Sequence, residues 1–205
     1  QRELGRLGVE IRLNTALSPE LLAQVDPQAV VLASGALTQV PLIKGLLTTS
    51  LPVHTAEDIM AGREASGPRV LVLGGNQIGL LVADHLAAGG REVTVLQRGA
   101  HFAEEMSGND RYYLRESLKA HGVILHKKAT VREVTDQGVV CRVDGRTRVL
   151  DDCDGIVIAD PRTPVRDAIT VLKGRRVEVH VIGDAKSPRT LQFAVSEGEE
   201  AGRSL

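Results

Sequence analysis

Arg69-Val70-Leu71-Val72-Leu73-Gly74-Gly75-Asn76-Gln77-Ile78-Gly79, RVLVLGGNQIG, is the stretch that decides the fold. An aliphatic run stops at a glycine turn, and the residues after it carry a helical pattern. The spacing predicts a strand at Val70–Leu73, a helix at Ile78–Ala88 stopped by Gly89-Gly90, and a second strand at Glu92–Leu96. That is one βαβ unit with the right-handed crossover such units adopt. Further out, Ala29–Ala33 (AVVLA) is a fully apolar strand, as in a parallel sheet covered on both faces. Asp154–Ala159 and Val177–Ile182 read the same way. Arg111–His121 and Thr190–Arg203 are helices, and Ser18-Pro19 starts a short one with a good cap and a proline in the first turn. Val9–Leu13, Gly122–His126, Thr130–Thr135, Gly138–Val143 and Arg146–Leu150 read as strands, the last three as a small antiparallel meander. Residues 37–67 read as a connection holding one short helix, Ala56–Gly62. Strands alternating with helices give an α/β fold with Rossmann-like parallel sheets.

The turn is nearly a dinucleotide fingerprint. In that pattern the first glycine makes the tight turn, the second lets backbone approach a pyrophosphate, and the third lets helix and strand pack closely. The phosphates rest on the helix N-terminus. Gly74 and Gly79 fill the first and third roles. Asn76 takes the second, where it tolerates a left-handed backbone but sets a side chain in the path of a phosphate; Gly75, Gln77 and Ile78 complete the turn. At the end of the second strand, where a carboxylate usually holds the adenosine ribose, stand Gln97 and Arg98. Glutamine can bond a ribose hydroxyl, and arginine can pair with a 2′-phosphate. The pattern leans to NADPH over NADH and leaves both open.

The totals exclude other classes. With 25 basic and 26 acidic side chains in 205 residues there is no basic field for nucleic acid and no cationic face for a membrane. No apolar run approaches the roughly 18 residues of a spanning helix, and the expectation is a cytoplasmic protein. Cys141 and Cys153 form no CxxC pair, and two thiols are too few for an iron–sulfur site. The histidines lack metal spacing, so no metal is expected. His54 reads either as a cofactor contact at the junction of two lobes or, the favoured reading, as part of a helix-capping cluster with Thr55 as cap and Asp58 at the third helical position. Asp84 and His85 are neighbours on a helix and point apart. Glu197, Glu199 and Glu200 read as a solvated helix face. With no nucleophile or acid–base pair, no catalytic residue is expected: the chemistry would belong to a bound cofactor.

The succession GVEIRLNT, AVVLASGA, LPVHTAEDIMAG, VLVLGGNQIGLLVADHLA and VHVIGDAKSPRTLQFAVSEGEEAGR resembles one flavoprotein group across nearly all 205 residues. It is similar to the C-terminal half of the large NADH:flavin oxidoreductases of the old yellow enzyme type, among them 2,4-dienoyl-CoA reductase, trimethylamine dehydrogenase and histamine dehydrogenase. The resemblance implies a partial FAD-type lobe in residues 1–50 and 161–205, with an NAD(P)-type lobe, residues 51–160, inserted in it, as in pyridine-nucleotide–disulfide reductases. It implies FAD beside Ser34-Gly35 and Gly183-Asp184, with the helix start at Thr190-Leu191 aimed at the flavin ring. NADPH or NADH would lie on Gly74–Gly79 with Gln97 and Arg98. FMN and an iron–sulfur cluster would sit in an N-terminal barrel domain or subunit outside this chain, its expected partner. Ala159-Asp160-Pro161-Arg162 departs from the family's Ala-x-Gly-Arg, and an aspartate there would repel phosphate. The rival expectation is a non-catalytic domain that keeps the shape and holds ADP or nothing. A methyltransferase using S-adenosylmethionine is disfavoured by Gln97 and by the Gly183-Asp184 ending.

Overall fold

The computed structural model describes residues 2–63, 67–136 and 138–205. Helix α1 (Arg2–Arg6) and helix α2 (Pro19–Val25) lead to strands β1 (Ala29–Leu32) and β2 (Ala36–Thr38), and then to β3 (Val53–Thr55) and α3 (Ala56–Met60). The central unit is β4 (Arg69–Leu73), α4 (Gln77–Ala88), β5 (Glu92–Leu96), α5 (Gly108–Ala120) and β6 (Ile124–His126). A meander of β7 (Ala129–Thr135), β8 (Gly138–Val143) and β9 (Arg146–Leu150) precedes β10 (Gly155–Ile158). The chain closes with β11 (Arg162–Pro164), α6 (Ala168–Leu172), β12 (Glu178–Val181), a 3-10 turn at Gly183–Ala185, and α7 (Leu191–Ser204).

Five parallel strands form the main sheet in the order β3-β10-β4-β5-β6. Its two faces follow from the period of 2 in a strand. Val70, Val72, Val93, Val95 and Val157 point to one side and pack under α3, α4 and α5 against Leu80, Leu86, Leu114 and Leu118. Leu71, Leu73, Leu96, Ile156 and Ile158 point to the other and pack on the meander through Val134, Val139, Cys141 and Val143. The sheet is thus the middle of three layers, which is why its strands are apolar throughout: β10 is buried at every position. Leu80 and Leu118 are fully buried, and each contributes about 1.5–3 kcal/mol from burial. A smaller sheet pairs β1 with β12 in parallel, and β2 pairs antiparallel with β11. A separate small core of Leu22, Leu32 and Leu172 packs with Val30 of β1 and Val181 of β12.

The helix starts are written locally. Ser18 accepts the Leu21 N–H at 3.2 Å, and Thr55 with Asp58 closes a reciprocal capping box. Ser107 caps α5, which therefore begins three residues before Arg111.

Several expectations need correction. Val9–Leu13 is not a strand: it has no strand partner among the described residues, and Val9, Ile11 and Leu13 stay exposed. Strand β1 is not covered on both faces, since Val31 is exposed; it pairs only with β12, and no described layer lies over that side. Residues 37–67 are more than a connection, because β3 supplies the edge of the main sheet. The short elements β11 and α6 lie where no element was expected.

Candidate nucleotide site

Strands β4, β5 and β10 are neighbours, so their carboxyl ends bring Gly74, Gln97 and Asp160 together. In open parallel sheets this is the edge where ligands bind. Gly74 has φ +115, and a Cβ on it would lie 2.7 Å from the Asp160 Cβ. A Cβ on Gly79 would lie 2.0 Å from the Gly74 carbonyl oxygen. Both glycines are therefore required by the turn itself.

Asn76 corrects one expectation. Its backbone is extended (φ −72, ψ 177), not left-handed, and it caps α4. Its side chain turns back onto the helix: Oδ1 accepts the Gly79 N–H at 2.8 Å and the amide donates to the Ala159 carbonyl at 3.0 Å. Gln97 is also engaged at both ends. Its Oε1 accepts the Gly75 N–H at 3.1 Å and its Nε2 donates to the His101 carbonyl at 3.1 Å, so it faces the turn and not open solvent at the strand end. The Gln77 N–H donates to the Glu105 carboxylate. Side chains of the chain itself thus hold the Gly75, Gln77 and Gly79 amides. The loop between β5 and α5 lies over the turn: Ala103 donates to the Gly75 carbonyl at 2.8 Å, and a Cβ on Gly75 would be 2.5 Å from the Phe102 ring. Arg98 reaches Asp160 at 3.4 Å, and both remain open to solvent. The carboxylate expected to repel phosphate therefore stands beside a cation.

The second group of expected residues surrounds Asp184. Ser34 Oγ donates to the Val165 carbonyl at 2.5 Å, and the Gly35 carbonyl accepts the Val165 N–H at 2.9 Å. Gly35 has φ +74 with open space where a Cβ would be. Asp184 accepts from Arg162 at 2.6 Å and from the Arg189 N–H at 3.0 Å. Arg162 also donates to the Ala36 carbonyl at 2.8 Å and lies 3.8 Å from Glu57. Glu57 Oε2 and Arg162 Nε are buried without a hydrogen-bond partner among the described residues. Thr190 caps α7 with its backbone alone, and Leu191 is exposed.

Glu197 is not on a solvated face, and this corrects another expectation. It accepts the Gly183 N–H at 2.7 Å, pairs with Arg189 and lies 3.4 Å from Lys186. The Arg189 guanidinium, helped by the Gly183 N–H, holds its carboxyl below the usual range. Arg189 in turn stacks 4.5 Å over the Phe193 ring. Glu105, Arg162 and Glu197 were not among the expected site residues. Glu105 meets the Gln77 N–H across 28 positions, Arg162 meets Asp184 across 22, and Glu197 meets the Gly183 N–H across 14, and no local spacing announces these contacts.

Between the two groups lies a cavity of about 480 Å³. Asn76, Gln77 and Ile78 line one side; Arg162, Thr190 and Phe193 line another. The start of α4 and the start of α7 thus open into one space.

The family model described as "Pyridine nucleotide-disulphide oxidoreductase" matches residues 19–198. The chain belongs to the pyridine nucleotide-disulphide oxidoreductase family. Within that family it is similar to an NADH oxidase of Thermoanaerobacter brockii, 28% identical over 201 residues that span 97% of this chain and 31% of the relative. It is 29% identical to a bilirubin reductase of Mediterraneibacter gnavus, over 99% of this chain and 31% of that protein. A 2-naphthoyl-CoA reductase, solved with 2-naphthoyl-CoA, superposes with a TM-score of 0.88 at 26% identity, over 98% of this chain and 30% of that one. Histamine dehydrogenase from Rhizobium sp. 4-9 shares the fold with a TM-score of 0.80 at 20% identity, over 100% of this chain and 35% of that one. The chain spans about a third of the length of these proteins. The family's fold is the α/β, Rossmann-like one expected from the sequence, and the curated relatives are oxidoreductases. Among the described residues no helix is long and apolar enough to cross a membrane.

Proposed function

We propose that this family member is the nucleotide-binding region of an old-yellow-enzyme-type flavin oxidoreductase, holding NADPH or NADH against FAD. Residues 51–160 form the nicotinamide-nucleotide lobe, inserted into an FAD-type lobe made of residues 1–50 and 161–205. A partner domain or subunit carries FMN, an iron–sulfur cluster and the substrate site. The observation that carries this reading is the cavity shared by the starts of α4 and α7, because hydride transfer needs the two rings in contact. When bound, the reduced nicotinamide supplies the hydride and the flavin ring accepts it. The chain's own residues bind and orient. Gly74 and Gly79 would keep backbone close to the nucleotide, Arg98 would pair with an adenosine 2′-phosphate, and Asp184 with Ser34-Gly35 would hold the flavin. The open space at Gly35, and Glu57 Oε2 and Arg162 Nε without a hydrogen-bond partner among the described residues, suit a polar cofactor there. Both cysteines are free and buried, which suits a reducing cytoplasm. The relatives support a shared electron-loading role: one is named for oxidising NADH and the other for reducing bilirubin, yet each aligns with this same region.

A second reading, a structural domain that holds ADP or nothing, is favoured by one observation: side chains already hold the amides of the turn. Calorimetric titration of the purified protein with NADPH, NADH, ADP and FAD separates the two. Micromolar binding of NADPH that Arg98→Ala weakens more than NADH binding supports the nicotinamide site. Binding of ADP alone supports the second reading, and binding of none sinks the live-cofactor reading for this chain.

A further inference from the structure

Three backbone amides form the mouth of the glycine turn, and their acceptors differ in kind. Gly75 and Gly79 donate to the neutral amide oxygens of Gln97 and Asn76. Gln77, the first residue of a 12-residue helix, donates to the Glu105 carboxylate. A carboxylate and a phosphate ask for the same thing at a helix start: N–H donors and the positive end of the helix dipole. The geometry points to Glu105 as an internal competitor for the nucleotide's phosphates, and so as the residue that sets the affinity of the inserted lobe. The inference rests on the nicotinamide-nucleotide reading above.

Two features make Glu105 a displaceable competitor. Its side chain is exposed, whereas Ala103, two positions earlier, is buried and anchored to the Gly75 carbonyl at 2.8 Å. Two positions later Ser107 caps α5, its hydroxyl accepting the Asp110 N–H at 3.2 Å. The loop backbone is thus pinned on both sides of Glu105 while its carboxylate reaches Gln77 from solvent. Rotating that one side chain frees the Gln77 N–H, adds an anion-binding donor and removes a like charge from the phosphate's path. The ligand class is an adenine nucleotide with a pyrophosphate: NADPH, NADH or ADP.

The test is titration of the purified protein with these three nucleotides in wild type, Glu105→Gln and Glu104→Gln. Glu104 is an exposed neighbour of the same charge, so it reports the general field of the loop. Glu105→Gln is expected to tighten all three by about tenfold, since a charge-assisted bond no longer has to be displaced. Glu104→Gln is expected to change them by less than about twofold, because exposed charges are screened. Amide nuclear magnetic resonance gives a second readout. The Gln77 N–H signal should move on Glu105→Gln without any nucleotide, and again in wild type when ADP is added. Binding unchanged or weakened in Glu105→Gln, or tightened equally in Glu104→Gln, overturns the competitor role and leaves the nucleotide site standing. Binding by Glu105→Gln alone supports the competitor role most directly. Failure of all three proteins to bind any nucleotide overturns this inference and the proposed function together.

Discussion

Gly79→Ala tests whether the glycine turn is packed as tightly as the structure has it. Two effects oppose each other. In a helix, alanine is favoured over glycine by about 1 kcal/mol. Against that, the new Cβ would lie 2.0 Å from the Gly74 carbonyl oxygen, 3.0 Å from its carbon and 3.1 Å from the Ala159 Cβ. The nearest atom is backbone, and it cannot swing aside as a side chain would. The Gly74 N–H is fixed to the Leu96 carbonyl at 2.9 Å, and a Cβ at Gly74 would already meet Asp160. Relief therefore requires α4 to shift away from the sheet, disturbing Leu80 and Val82, both fully buried. Overpacking of this kind costs about 1–3 kcal/mol, and more where backbone must move. The net expectation is destabilisation by about 2 kcal/mol, or a fall in Tm of about 4–8 °C for a chain of this size. Gly202→Ala is the control: it lies in α7, is exposed, and its Cβ would meet nothing within 4 Å. It should stabilise by a few tenths up to about 1 kcal/mol. Urea unfolding followed by circular dichroism, with m-values checked for equality, reads both. Equal stability of the two variants would refute the packing argument at Gly79.

Three further outcomes are expected. Thr55→Ala removes the serving half of the capping box on α3 and should cost about 1 kcal/mol in urea unfolding. Asp154 accepts from Arg69 at 2.8 and 2.9 Å and from the Arg69 N–H at 3.0 Å, and this pairing holds its carboxyl below the ordinary value. A depressed folded pKa stabilises the fold above the unfolded value of about 3.9 and ceases to do so as pH falls through the lower folded value. Asp154→Asn should therefore be less stable at neutral pH and draw level with wild type as a urea series is taken down in pH through the depressed folded value. Glu197→Gln weakens the acceptor for the Gly183 N–H and for Arg189; hydrogen exchange at Gly183 should speed up, and FAD affinity should drop if the flavin reading holds.

How much of this was legible depended on the range of the interaction. The βαβ unit was readable because aliphatic runs and a glycine stop are local signals, and the caps at Ser18 and Thr55 were readable because capping acts over three residues. The alternation in Val9–Leu13 has the right period for a strand, but a strand exists only with a partner, and none is described beside it. Strand β11 and helix α6, at 3 and 5 residues, are too short for a period to register. Glu197 looked like a solvated glutamate because its neighbours Glu199 and Glu200 are; it is bound only because the Gly183 turn folds back onto α7. Glu105 is 28 positions from the amide it meets.

Asn76 shows why a motif departure must be read atom by atom. A glycine at that position serves two needs, a permissive backbone and an open approach. The first is absent here, since φ is −72, a value any residue adopts. Only the approach differs, and what fills it is a rotatable side chain that caps its own helix. The glycines whose replacement would force backbone to move, Gly74 and Gly79, are both in place. The groups that hold the Gly75, Gln77 and Gly79 amides, at Gln97, Glu105 and Asn76, are side chains, and side-chain torsions turn over far faster than a packed sheet rearranges. The fold itself demands the close packing of helix and strand at Gly74 and Gly79, so on the nicotinamide-nucleotide reading proposed above it is the side chains at the turn, and not the packing of helix on sheet, that set the affinity.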